Sequence, residues 1–131
     1  METVLGIGGI FFKARDPKKL AEWYREHLGV PVEMGDQYAT LVSSAPGEPT
    51  VWSTFSQDTD YFGSGDARLM INYRVCDLDA MLIQLRAAGV PVIDHTEDSE
   101  FGRFGWATDP EGNRFELWQP PSGNGQQLAQ P

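Results

Sequence analysis

Cysteine, basic residues and long apolar runs are scarce in this sequence of 131 residues. Its one cysteine, Cys76, cannot form a disulfide within the chain, which is typical of proteins in the reducing cytosol. No apolar run approaches the roughly 18 residues that a membrane-spanning helix requires, and no signal peptide is recognisable before the first predicted strand. The sequence therefore predicts a cytoplasmic protein that does not bind or span a membrane.

Acidic residues outnumber basic residues by 19 to 10, which leaves a formal net charge of −9 at pH 7. Such a charge repels phosphate groups, so we expect no binding to nucleic acid or to an anionic membrane. It permits a cationic ligand without requiring one. Hydrophobic residues make up 40% of the chain, and the length and composition together predict one globular domain with a core of its own.

The same order of elements occurs twice along the chain. Residues 12–16 (FKARD) resemble residues 73–77 (YRVCD), and GVPV occurs at both 29–32 and 89–92. Each half predicts a strand, then a helix capped by an aspartate, then three strands. We therefore predict an α+β fold in which two tandem βαβββ modules form a curved mixed sheet with the helices on one side.

The boundaries of this duplication divide the chain into four parts. Module one covers about residues 4–57, a connection covers 58–66, and module two covers about 67–120. In module one the later strands are predicted near 31–34, 37–44 and 50–56, after a helix whose apolar stripe is formed by Leu20, Trp23, Tyr24 and Leu28. The helix of module two has the stripe Leu78, Met81, Leu82 and Leu85. Residues 121–131, rich in Gly, Gln and Pro, are predicted to be disordered.

The last two strands are predicted near 103–108 and 113–119, joined by the turn sequence Asp-Pro-Glu-Gly at 109–112. Because side chains alternate along a strand, Phe115 and Leu117 share one face, and Glu116 lies on the other with its polar and aromatic neighbours. The apolar face is expected to pack under a helix. Glu116 is then expected on the opposite, concave face of the sheet.

That concave face is the candidate binding surface. The residues predicted on it are mostly aromatic or apolar with a few polar groups, a composition that suits a small organic ligand. They are Phe11, Trp52, Met70, Asn72, Arg74, Glu116 and Trp118. The connection between the modules, which contains Tyr61 and Phe62, either closes over this surface or forms an exposed aromatic loop at a dimer contact.

These features resemble those of the vicinal oxygen chelate superfamily, which contains glyoxalase I, bleomycin-resistance proteins, extradiol dioxygenases and related lyases and isomerases. The resemblance covers about residues 4–120. It depends on the paired modules, on the segment FFKARDPKKLAEWYREHLGVPV and on the ending WATDPEGNRFELWQP. It implies pockets formed in a homodimer and, in many members, a divalent metal held by His and Glu side chains on the first and last strand of each module.

The residues at the corresponding positions of this chain do not match that metal site. Gly9, Trp52 and Met70 stand at three of the positions, and only Glu116 carries a group that binds such metals well. The two histidines of the chain lie elsewhere. The sequence therefore predicts no cofactor, and a divalent metal is disfavoured.

Three functions remain open from the sequence. The first is a metal-free protein that binds a small molecule, similar to the bleomycin-resistance branch, and the missing histidines favour it. The second is a lyase, isomerase or dioxygenase that uses Glu116 as a general base, or a rearranged metal site formed by Asp94, His95 and Glu97. The third is a degenerate module that acts as an interaction or regulatory domain.

Overall fold

The computed structural model describes residues 1–42, 48–63 and 66–121. Within these ranges the elements are β1 (Val4–Ala14), α1 (Pro17–Leu28), β2 (Tyr38–Leu41), β3 (Thr50–Ser56), β4 (Leu69–Val75), α2 (Leu78–Ala87), β5 (Glu97–Ser99), β6 (Gly102–Thr108) and β7 (Arg114–Gln119). The tail that the sequence predicts to be disordered lies outside the described residues, except for Pro121. No helix in the described ranges is long and apolar enough to cross a membrane.

The strands form one curved, mixed sheet in the order β2-β3-β1-β4-β7-β6-β5. In each half the first strand pairs in parallel with the last, β1 with β3 and β4 with β7. The first strands of the two halves pair with each other in antiparallel fashion and join the halves into a single sheet. The predicted α+β architecture is confirmed, and the two modules pair within one chain.

The strands of the first module differ from the prediction in two respects, of which the first is that the strand expected near 31–34 does not form. Pro31 has no N–H to give to a sheet, and the N–H of Val32 donates to the carbonyl of Val30 at 2.7 Å in a tight three-residue turn. Val32 is nevertheless buried, packed against Ala21 and Ala39. The next predicted strand, 37–44, is shortened to β2, and its residues 43 and 44 lie outside the described ranges.

Helix α1 begins and ends where the sequence predicts, but its buried face is shifted. The side chain of Asp16 accepts a hydrogen bond from the backbone N–H of Lys19, and Gly29 ends the helix with φ of 69°. Ala21 is fully buried, whereas Trp23 is 49% exposed and Leu28 is 65% exposed. The predicted stripe was therefore wrong for Trp23 and Leu28. The ring of Trp23 instead stacks on His27, one turn later along the outer surface.

Helix α2 packs as predicted on the same side of the sheet as α1. Asp77 caps it through the N–H of Ala80. Its residues Leu78, Met81 and Leu82 form a buried cluster with side chains of β4 and β7. The cluster includes Leu117, which confirms that the apolar face of β7 lies under a helix. The alternate residues of β7 consequently face the concave side.

Shortening Leu82 to alanine is expected to destabilise the protein by about 3 kcal/mol, because the change removes buried methyl groups and leaves a cavity under α2. The neighbouring substitution Ile83→Ala provides the control, since Ile83 is 66% exposed. It should change the free energy of unfolding by no more than about 0.5 kcal/mol. Urea unfolding followed by circular dichroism measures both variants. Equal effects of the two substitutions would contradict the described packing of α2.

Candidate functional site

The concave side of the sheet encloses an open cavity of about 680 Å³. Most of its wall is apolar and comes from strands of both modules, while Asn72 and Glu116 are its most buried polar residues, each 2% exposed. The apolar wall is formed by Phe11, Val51, Phe55, Phe101, Phe104 and Trp118. The site is therefore an aromatic cavity with one buried carboxylate, that of Glu116, and one exposed acidic residue, Glu97, in its wall.

The carboxylate of Glu116 accepts three hydrogen bonds from side chains. The Nδ2 of Asn72 donates to Oε1 at 2.6 Å. The indole Nε1 of Trp106 donates to Oε2 at 2.9 Å, and the hydroxyl of Tyr61 donates to the same oxygen. The three donors come from β4, β6 and the connection between the modules. Glu116 consequently links three separate segments of the chain.

Strand register brings these groups together. The parallel pairing of β4 with β7 places Asn72 beside Glu116, and the antiparallel pairing of β6 with β7 places Trp106 on the other side. The hairpin register is set by Asp109, whose N–H donates to the carbonyl of Asn113 and whose carboxylate accepts the N–H of Asn113. Sequence reasoning did not assign Trp106 to the site. Counting outward from the Asp109–Asn113 pair would have found it.

The connection between the modules closes over the concave face. Phe62 is 2% exposed and packs in a cluster with Phe11, Met70 and Trp106. The ring of Tyr61 stacks on Phe55 with centroids 5.5 Å apart, and its carbonyl accepts a hydrogen bond from Nη1 of Arg114. Of the two alternatives for this segment, the structure therefore shows the one in which it covers the cavity.

Burial controls the electrostatics of the site. Loss of hydration raises the pKa of Glu116, and the hydrogen bonds from Tyr61, Asn72 and Trp106 oppose that shift without cancelling it. Burial, followed by the nearby charge of Glu116, raises the pKa of Tyr61 well above its usual range. Tyr61 therefore remains a hydrogen-bond donor. No ion pair involves Glu116 within the part of the chain that the structure describes.

The seven predicted site residues lie in four different places, and one of them, Trp52, is on the opposite face of the sheet. Phe11, Asn72, Glu116 and Trp118 line the cavity. Met70 faces the same side but lies in the core behind the wall. Arg74 lies at the edge of this face, against Trp118 and 3.9 Å from Glu48, and does not line the cavity.

The prediction that Trp52 lies on the concave face was wrong. The parallel register of β1 and β3 pairs Trp52 with Ile10, on the helix side of the sheet. There the ring of Trp52 contacts Phe12 and Tyr24, with centroids 5.3 Å and 5.1 Å away. The concave residues of β3 are its neighbours Val51, Ser53 and Phe55. A shift of one residue in register moves a side chain to the opposite face, and the loop before β3 left that register open.

Two glycines of β1, Gly8 and Gly9, leave room for the side chains of Asn72 and Phe11 on the concave face. A Cβ at Gly8 would lie 2.2 Å from Oδ1 of Asn72, and a Cβ at Gly9 would lie 2.9 Å from the ring of Phe11. A bulge between Ile7 and Gly9 turns both glycines toward the concave side. Asn72 and Phe11 therefore occupy the space that side chains at these positions would need.

The residues of this face do not fit the metal site of the superfamily. Across the sheet, the residues that stand in register with Glu116 on neighbouring strands are Asn72, Gly9 and Val51. Of these four residues, only Glu116 is a strong ligand for a divalent ion. Among the described residues, no group of three or more His, Cys, Asp or Glu side chains could hold a metal ion. This includes the rearranged site considered from the sequence, where His95 and Glu97 form an exposed pair at 3.4 Å.

The fold agrees with the resemblance to the vicinal oxygen chelate superfamily that the sequence shows. Residues 9–118 match the family of glyoxalase-like domains, and the chain belongs to that family.

Solved structures support the same fold. A methylmalonyl-CoA epimerase in complex with methylmalonyl-CoA and NH4⁺ is 19% identical, with a TM-score of 0.71 over 92% of this chain and 97% of that chain. The methylmalonyl-CoA epimerase of Mycobacterium tuberculosis is 22% identical, with a TM-score of 0.65 over 96% and 92%. A protein described as NAD-dependent benzaldehyde dehydrogenase from Legionella pneumophila is 16% identical, with a TM-score of 0.59 over 86% and 98%. At these identities the likeness concerns the fold alone. No curated protein matches the chain.

Replacing Glu116 by glutamine should change how stability depends on pH. The folded protein holds the proton of Glu116 more tightly than the unfolded chain does. The stability of the wild type therefore falls as the pH rises from the unfolded carboxyl pKa, about 4.3, toward the raised pKa of Glu116 in the folded protein. Glutamine does not titrate. Glu116→Gln should therefore gain stability relative to wild type as the pH rises through the interval from the unfolded carboxyl pKa to the raised pKa of the folded protein, as measured by urea unfolding. A relative stability that falls over this interval would mean that the pKa of Glu116 is lowered instead.

Proposed function

We propose that the protein binds a small organic molecule in the concave cavity without a metal ion, and that Glu116 binds a cationic or hydrogen-donating group of that molecule. The observation that carries this proposal is a buried carboxylate, without an ion-pair partner among the described residues, at the base of an aromatic cavity. The size of the cavity supports it, since ligand sites commonly occupy about 300–1,000 Å³.

The walls of the cavity favour a ligand with a flat apolar body. Phe104 and Trp118 stack with their rings nearly parallel, 5.9 Å apart, and Phe55 and Tyr61 form a second stacked pair. Aromatic faces of this kind provide apolar area together with a preferred geometry for a bound ring. Burial of the ligand's apolar surface would contribute about 25 cal/mol for each Å² removed from water.

Glu116 retains the capacity to accept a further hydrogen bond. An ionised carboxylate offers about four lone-pair sites, and the protein donors occupy three of them. The protein donors hold the carboxylate in one orientation, so a ligand group would meet a fixed acceptor. A ligand cation would also compensate the buried negative charge, for which the described residues supply no cationic partner. An ammonium or amidinium group is therefore the polar group that this site favours.

A second candidate function is proton transfer at a carbon atom, with Glu116 as the general base. The raised pKa of Glu116 favours it, because a base works best when its pKa approaches the operating pH. The two functions differ in one measurable property. A general base exchanges a carbon-bound hydrogen of its ligand for deuterium in D₂O, whereas a binding protein releases the ligand unchanged.

The homodimer expected from the sequence also remains a proposal. It is supported by apolar side chains on the helix side of β1 and β4 that are left exposed in the single chain. They are Leu5, Ile7, Ile10 and Leu69. A second copy covering them would remove this apolar surface from water.

Benzamidine and the neutral benzamide, which have nearly the same shape, test the role of Glu116. Wild-type protein should bind benzamidine more tightly than benzamide in calorimetric titrations. Glu116→Gln should weaken benzamidine binding by about tenfold or more, the loss expected for a charged hydrogen bond, and should reduce the preference over benzamide. The variant should remain folded, because a rotated Asn72 amide can accept from the new NH₂ group through its Oδ1, which has no partner among the described residues.

Glu111→Gln is the matched control, since it removes the same charge from the exposed hairpin turn. It should leave the affinity for benzamidine unchanged. Equal binding of benzamidine to wild type and Glu116→Gln would overturn the proposed role of the carboxylate. So would a preference of the wild type for benzamide.

A further inference from the structure

A second cavity, at the end of β1, is surrounded by basic side chains. Its volume is about 780 Å³, and it shares no lining residue with the concave cavity. Lys13, Arg15, Lys19 and Arg68 contribute four positive charges to its wall, on a chain whose formal net charge is −9. This local charge is opposite in sign to that of the chain as a whole.

The sequence and the sheet together assemble this cluster. Residues 13–19 (KARDPKK) contain four of the ten lysines and arginines of the chain. Arg68 comes from the other module, and its carbonyl accepts a hydrogen bond from the N–H of Lys13 at 2.9 Å. Lys18, by contrast, does not line this cavity. The cluster therefore depends on the strand pairing as well as on the local sequence.

The cations of the cluster are not neutralised by the residues that the structure describes. No ion pair joins any of the four to a carboxylate in those ranges. The one acidic residue in the wall, Asp16, uses its carboxylate to cap α1 through the N–H of Lys19. Like charges gathered in this way repel one another, and a bound anion would relieve that repulsion.

An aromatic surface adjoins the cations. Trp23 is 49% exposed and lines the cavity with Tyr24 and Leu20. The ring of Trp23 contacts Tyr24 at 5.2 Å and His27 at 4.6 Å, so packing supports it although much of it is open to solvent. An exposed indole next to cations offers a stacking surface for a planar ring attached to an anionic group.

We propose that this second cavity binds a nucleoside diphosphate, with Arg15, Lys19 and Arg68 on the phosphates and Trp23 against the base. The ammonium of Lys13 lies over the ring of Phe62, 5.6 Å from its centroid, so Lys13 adds to the local positive charge without being assigned a phosphate contact. A small multiply charged anion suits the cavity better than a long nucleic acid, because the net charge of the chain repels an extended polyanion. Salt screens acidic groups that lie more than a screening length, about 8 Å at physiological salt, from the bound anion. These groups therefore repel a small anion much less than they repel an extended polyanion. The inference is independent of the function proposed for the concave cavity.

The test is calorimetric titration of the full chain with ADP, and with pyrophosphate and adenosine as its two halves, at about 50 mM salt, where screening is modest. Lys19→Gln and Arg68→Gln should each lower the affinity for ADP and for pyrophosphate roughly threefold to fivefold, the range for partly exposed charge pairs. Both should leave adenosine unaffected. Trp23→Ala should lower the affinity for ADP and for adenosine but leave the affinity for pyrophosphate unchanged.

Lys18→Gln is the matched control, because it removes the same charge from the adjacent position outside the cavity. It should change the affinity for ADP less than about twofold. A loss as large as that of Lys19→Gln would overturn the proposal, since the effect would then be one of general charge. Absence of ADP binding to the wild type would overturn it as well. All variants change exposed side chains, so thermal unfolding should show them folded like the wild type.

Discussion

The burial of one carboxylate, that of Glu116, is the constraint on which the site depends. A buried charge without a cation is stable only when hydrogen-bond donors surround it. Here the donors come from β4, from β6 and from the connection between the modules. To satisfy one side chain, β4, β6 and β7 must keep their register and the segment around Tyr61 must fold back over the concave face. The same contacts that stabilise the carboxylate therefore also shape the cavity.

These contacts explain how a glyoxalase-like chain can keep the concave site of its superfamily with a different set of groups beside Glu116. Asn72 and the ring of Phe11 occupy the space next to the glycines of β1. The amide, indole and phenol groups that face Glu116 all donate hydrogen bonds to it, an arrangement that suits a carboxylate. In our proposal, the remaining acceptor site on Glu116 and the stacked aromatic walls recognise an organic ligand directly.

The sequence was most informative where two independent patterns agreed. The duplication and the alternation of side chains together predict that Phe11, Asn72, Glu116 and Trp118 share one face, and all four line the cavity. Trp52 was placed wrongly because its position depended on a loop of uncertain length, and register cannot be read through such a loop. Trp106 is the hairpin partner of Glu116 and follows from the register of the turn, once that register is known. Tyr61 reaches Glu116 from a distant segment, a contact that only the folded chain shows.

The measurement that tests this account most directly is a titration of metal-free protein with nickel, zinc, manganese and iron(II), followed by elemental analysis after dialysis. The account predicts no retained metal beyond the amount held by Glu116→Gln, because the groups beside Glu116 are hydrogen-bond donors and apolar side chains. Near-stoichiometric metal in the wild type that is lost in Glu116→Gln would contradict it. That result would show that Glu116 is a metal ligand and that the three donors rearrange around an ion.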